Sequence, residues 1–120
     1  MKSSSQLRQQ LEKYQGCPII VEGKKDVQAL KSLDFEKVFA IHKNKTSLRE
    51  AVEKICTEIK NTEVVCILTD FDKKGRYFHA QLKKILQEHG VKVDPSLRRL
   101  IAKEGLSHIE GIGKFVERNN

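Results

Sequence analysis

Three carboxylates stand at the ends of apolar runs, where a chain of this kind could do chemistry. Glu22 closes the run PIIVE and is followed by Gly23, while Asp70 and Asp72 close the run VVCILTDFD with Phe71 between them. Acids gathered at one point repel each other. A divalent cation resolves that conflict, and Mg²⁺ in particular takes carboxylate oxygens, water and substrate phosphates as ligands. Glu22, Asp70 and Asp72 are therefore the candidate metal ligands. The Asp-Phe-Asp spacing suits this, because a turn leaving a strand can aim alternate side chains at one point while Phe71 turns to the core. Each piece also has a plainer reading: Glu22 as a surface acid in a turn, and Asp72 as the N-cap of a helix.

Around the acids lie groups suited to phosphate. Gly23 would permit positive φ or a close approach of phosphate to the start of the next helix, where Lys24 and Lys25 add positive charge. Lys73, Lys74 and Arg76 follow the second acidic pair, and Lys43 and Lys45 follow another strand candidate. All could grip phosphates on one rim, against the plainer reading of a solvated basic helix face. The chain has no GxxxxGK followed by Ser or Thr, so a Walker phosphate loop is not supported. His42 and His79 are possible acid/base groups, but neither enters the catalytic set.

The elements that must position these residues can be read from periodicity. Gln6 to Tyr14 has weak helical spacing, ended by Gly16 and Pro18, and a strand follows from Pro18 to Val21. Val27, Leu30 and Leu33 give a helix from Lys24 to Leu33, then Lys37 to Ile41 reads as a second strand. Ser47 with Glu50 has capping-box spacing, and Leu48, Val52, Ile55 and Ile59 stripe a helix from Ser47 to Lys60. Glu63 to Thr69 is apolar enough to be a strand buried on both faces, in a central place. Lys74 to His89 is a further helix with Phe78, Leu82, Ile85 and Leu86 inward, and VKVD after Gly90 is a fourth strand. Helical segments from Ser96 to Lys103 and Ile109 to Glu117 complete the chain. The alternation specifies an α/β domain of about four mostly parallel strands flanked by helices. In such sheets ligands gather at the carboxyl ends of the strands, where the acids lie.

Bulk properties bound the function. A length of 120 residues is one domain's worth, with 38% hydrophobic and 32% charged residues, a composition that should fold. The net charge of +7 favours polyanionic partners or, more plainly, a solvated basic surface. Three cysteines without CxxC spacing signal neither a disulfide framework nor a zinc site. No run approaches a membrane span and the amino terminus lacks an apolar signal region, so a cytoplasmic protein without a membrane partner is expected.

Taken together, IIVEGKKD from Ile19 to Asp26 and VVCILTDFDKKGR from Val64 to Arg76 resemble a Toprim domain, the module shared by topoisomerases, bacterial primases, recombination proteins and some nucleases. The chain is most similar to small stand-alone primase-like Toprim proteins and, more loosely, to the nuclease that matures 5S ribosomal RNA. HIEGI, from His108 to Ile112, resembles the carboxyl-terminal acid segment of that group. The resemblance implies a single Toprim-like Rossmannoid domain over 1–120 with its core at about 17–112. It implies Glu22 as general acid/base, Asp70 and Asp72 holding Mg²⁺ (with Mn²⁺ as alternative), and Glu110 as an additional acidic contact. Two departures stand out: Phe71 replaces a proline often found there, and Arg76 sits where an acid often follows the glycine. The activity implied is metal-dependent chemistry on RNA or DNA phosphodiesters, by a nuclease or a primase-like phosphotransferase. Tyr14 and Tyr77 lack the context of a topoisomerase nucleophile. The alternative is a non-catalytic nucleic-acid-binding module working within a larger complex, with a protein partner or a second copy. A phosphoacceptor receiver domain fits poorly, because the first strand ends in one glutamate rather than paired acids.

Overall fold

The computed structural model describes residues 4–42, 46–60 and 63–118. Three strands form one parallel sheet in the order β2-β1-β3, with β1 at Ile19–Val21, β2 at Val38–Ala40 and β3 at Cys66–Ile67. The helices are α1 (Ser4–Glu12), α2 (Lys24–Lys31), α3 (Leu48–Glu58), α4 (Lys73–Glu88), α5 (Ser96–Lys103) and α6 (Ile112–Arg118), with a 3₁₀ turn at Ile109–Gly111 before the last.

The continuous apolar runs are explained by cover on both faces. Ile19, Val21, Cys66 and Leu68 pack with Leu7, Leu30, Leu97 and Val116 on one side. The alternate residues Ile20, Val65 and Ile67 pack with Val52, Ile55, Leu82 and Leu86 on the other. Two readings are corrected here. The central strand is β1, paired with β2 in register Ile19–Val38 and with β3 in register Ile19–Cys66. The expected fourth strand reduces to an isolated parallel bridge between Val65 and Val93. Lys92 C=O accepts from Val65 N and Asp94 N donates to Val65 C=O, both at 2.9 Å. Asp94 then bends the chain away, accepting from both Ser96 N and Ser96 Oγ ahead of α5.

Local chemistry fixes the helix starts near the expected places. Ser47 Oγ accepts from Glu50 N at 3.1 Å to cap α3. Asp72 Oδ1 accepts from Gly75 N at 2.7 Å to cap α4. Cys17 and Cys66 meet at the amino end of the sheet, their Sγ atoms 3.3 Å apart as free thiols.

Candidate metal centre

Parallel pairing of β1 with β3 sends both chains out of the sheet side by side, so Glu22 and Asp70 become neighbours across a sequence distance of 48 residues. Glu22 Oε2 accepts from the backbone N–H of Asp70 at 2.8 Å, and the Glu22 side chain is buried with its residue 8% exposed. Its backbone C=O also accepts from His42 N at 2.8 Å, which ties the exit of β1 to the end of β2. Glu22 thus organises the turn that presents the two aspartates.

That turn is fastened from several sides. Thr69, fully buried, donates its hydroxyl to Gly75 C=O at 2.6 Å. Gly75 is required by packing: a Cβ there would collide with the backbone carbonyl of Asp70. Arg98, on α5, donates to Thr69 C=O at 2.5 Å and to Asp70 C=O at 3.1 Å, while its guanidinium lies 4.4 Å from the Phe71 ring centroid. Burial pulls the Arg98 pKa below its ordinary value, partly countered by Glu22 and Asp70. Arg98 and Gly75 were not singled out from sequence. The glycine three residues beyond Asp72 was a readable signal, whereas no local pattern marks Arg98, 28 residues after the acid it supports.

The segment after α5 closes the site. Ser107 C=O accepts from Phe71 N at 3.0 Å, and Ile109 N donates to Asp70 Oδ1 at 2.9 Å. Between them, His108 Nδ1 lies 3.4 Å from Asp70 Oδ2. Hydrogen bonding to Asp70 and the charge on that residue raise the His108 pKa. Asp70, Asp72 and His108 each offer one ligand atom within 4.8 Å of the others. Glu22 is not a member of that set; it stands behind it, on the amide of Asp70.

The remaining candidates fall around this centre in different ways. Phe71 packs against the core, as expected. Gly23 has φ −140 and ψ 177, extended backbone that other residues also adopt, and a Cβ there would meet nothing within 4 Å. The positive φ contemplated for it does not occur, because Gly23 is the N-cap of α2 and donates its N–H to Asp26 Oδ2 at 3.1 Å. Lys24, Lys73 and Lys74 are exposed in the first turns of α2 and α4. Arg76, also exposed, donates to Phe71 C=O at 3.1 Å. Glu110 is exposed on the 3₁₀ turn. His42 stacks edge-on with Phe78 at 4.8 Å, and burial lowers the pKa of His79. Lys43 and Lys45 lie outside the described residues.

Asp26 was not anticipated. Its side chain is buried, and burial raises its pKa despite the Gly23 N–H, with Asp70, Glu22 and Glu110 adding to the effect. The carboxylates of Asp26, Glu22, Asp70 and Glu110 thus act on one another, while the described hydrogen bonds of Arg98 go to carbonyls rather than to carboxylates. The donor set fits a divalent ion: two carboxylates on one turn, with no described hydrogen bond on the second oxygen of Asp72.

A parallel α/β core with Glu-Gly after one strand and Asp-Phe-Asp after its neighbour defines the class, and a Toprim-domain model matches residues 17–100. The chain belongs to the Toprim family. It is similar to the UPF0292 protein of Methanocaldococcus jannaschii, 33% identical over 104 residues covering 84% of this chain and 79% of that one. The UPF0292 protein of Methanosarcina barkeri is 32% identical over 120 residues, covering 94% and 80%. Among solved structures, a putative protein from Aquifex aeolicus superposes with a TM-score of 0.73 at 25% identity, covering 88% of this chain and 94% of that one. Toprim domains typically bind divalent metal and act on nucleic acids. No helix among the described residues is long and apolar enough to cross a membrane.

Proposed function

We propose that the protein is a Mg²⁺-dependent Toprim enzyme that hydrolyses nucleic-acid phosphodiesters, with Asp70 and Asp72 as metal ligands and Glu22 as the proton-transferring group. The observation that carries this reading is the joining of Glu22 to Asp70 across β1 and β3, which sets a buried carboxylate beside the aspartate turn at the carboxyl end of the sheet. When bound, the divalent ion supplies charge stabilisation at a phosphate oxygen.

The chain's own groups divide the remaining work. Asp70 and Asp72 are held on a turn that Arg98, Thr69 and Gly75 keep rigid, so the ligands are preorganised before any cation arrives. Glu22 holds one oxygen on the Asp70 amide, leaving Oε1 to take or return a proton at the attacking or departing oxygen. Lys24, Lys73 and Lys74 are exposed and lie next to the acids in sequence, and in this scheme they neutralise flanking phosphates together with Arg76, with Gly23 as a further phosphate contact and Glu110 as an additional acidic contact. Tyr14 shares a hydrogen bond with Ser96 Oγ and Tyr77 stacks edge-on with Phe78, neither contact involving the aspartates, so water is the nucleophile of this scheme.

The test is cleavage of labelled single-stranded RNA, structured RNA and DNA in Mg²⁺ or Mn²⁺, with Glu22→Gln and Asp70→Asn as controls. Cleavage by the wild type and its loss in both variants supports the enzyme reading. Salt-sensitive binding without cleavage, unchanged in Glu22→Gln, supports instead a non-catalytic module within a larger complex, which the exposed lysines would also serve.

A further inference from the structure

The ligand atoms gathered at the aspartate turn are not all oxygens. His108 brings a ring nitrogen within 4.8 Å of the carboxylates of Asp70 and Asp72. Its backbone is held there on both sides. Ser107 accepts from Phe71 N at 3.0 Å and Ile109 donates to Asp70 Oδ1 at 2.9 Å, so the imidazole is presented between two anchors.

As an ion pair with Asp70 this contact would do little. Its 3.4 Å separation exceeds the roughly 2.7–2.9 Å of a charge-assisted hydrogen bond, and the imidazole side chain is 56% exposed. A cation among the three groups would use all of them. The neighbourhood also gathers acids: Asp26 and Glu22 are buried carboxylates beside Asp70, and the described hydrogen bonds of Arg98 reach backbone carbonyls rather than carboxylate oxygens.

We infer that His108 is a nitrogen ligand of the divalent-metal centre built on Asp70 and Asp72, and that it biases the centre toward the later first-row transition ions over Mg²⁺. The inference rests on the metal reading given above and adds to it the ligand that sets ion preference. Mg²⁺ demands a near-ideal octahedron and, like Mn²⁺, is held mainly by oxygen, whereas imidazole suits the later first-row ions. Transition ions bind most mixed sites more tightly than Mg²⁺, so the discriminating quantity is how each affinity changes when the imidazole is removed.

Calorimetric titration of wild type, His108→Ala and Asp70→Asn with Mg²⁺, Mn²⁺ or Co²⁺ alone measures this, with the Co²⁺ visible spectrum reporting nitrogen ligation. Circular dichroism confirms that each variant is folded. The expected result is that His108→Ala loses roughly tenfold or more in Co²⁺ affinity, less in Mn²⁺ affinity, keeps its Mg²⁺ affinity, and shifts the Co²⁺ bands. An unchanged Co²⁺ affinity would overturn the inference while leaving a metal centre at the aspartates. An equal fall for all three ions would also overturn it, by making His108 a general support of the turn. Absence of divalent binding by the wild type would overturn both this inference and the metal reading beneath it.

Discussion

At the residue scale, the acids proposed as ligands and proton carrier and the groups that hold them differ in how visible they are. Glu22, Asp70 and Asp72 announce themselves by following apolar runs, whereas Gly75 matters because the fold leaves no room for a side chain against Asp70. Gly75→Ala forces the first turn of α4 away from the aspartate turn, and we expect a loss of about 2–4 kcal/mol in denaturant unfolding. Asp26 makes the opposite prediction. Its folded pKa is raised above the unfolded value by burial, then by Asp70, Glu22 and Glu110. Below the ordinary carboxylate pKa the group is protonated in both states and costs nothing. As pH climbs through that value toward the folded pKa, the unfolded chain releases its proton first, so Asp26 increasingly opposes folding. Asp26→Asn, whose side-chain oxygen can still accept from Gly23 N, should therefore be more stable than wild type at neutral pH. The difference should vanish on acidification to below the ordinary carboxylate range, measured by thermal melts in chelator; a difference that persists in acid would refute the electrostatic cause.

At the element scale, strand and helix identities were legible because the apolar period switches cleanly between the two types. β1 and α3 fall within a residue or two of their expected bounds, and Ser47 caps as its spacing implies. The segment at VKVD misled because a β-branched pair cannot signal how many neighbours it finds; the chain makes one bridge and turns at Asp94. The contribution of α5 was illegible for a related reason. Arg98 looks like one more basic residue on an amphipathic helix, and only the tertiary fold lays its guanidinium over Phe71 and against the carbonyls of Thr69 and Asp70. Removing it leaves those carbonyls without their described side-chain donor, and Thr69 is fully buried. Arg98→Met, which keeps the apolar stem, should cost about 1–3 kcal/mol in urea unfolding. Arg98→Lys should recover part of that, since one ammonium can reach one carbonyl but cannot stack as the guanidinium does. Equal stability of Arg98→Met and wild type would mean that the two hydrogen bonds contribute nothing net.

At the scale of the whole molecule, the charge of +7 leaves open whether the basic residues act together. The structure sets exposed Lys73 and Lys74 at the start of α4, directly after the aspartate turn. Positive charge in a first helical turn opposes the helix dipole, so these lysines are poorly placed for helix stability and better placed for an anionic partner. Arg49 is a contrasting cation, already 2.6 Å from Glu88 on the surface formed by α3 and α4. If a single-stranded nucleic acid lies across the acidic centre, each phosphate contact removed should lower the slope of log affinity against log salt by about 0.7. Lys73→Ala with Lys74→Ala should thus flatten the slope by about 1.4 when both lysines touch phosphate, while Arg49→Ala leaves it unchanged. Fluorescence anisotropy with a labelled oligonucleotide over a salt series, in chelator to prevent cleavage, reads this directly. A slope lowered equally by both variants would mean that only overall charge matters, and a slope unmoved by the lysine pair would place the polyanion on another face of the protein.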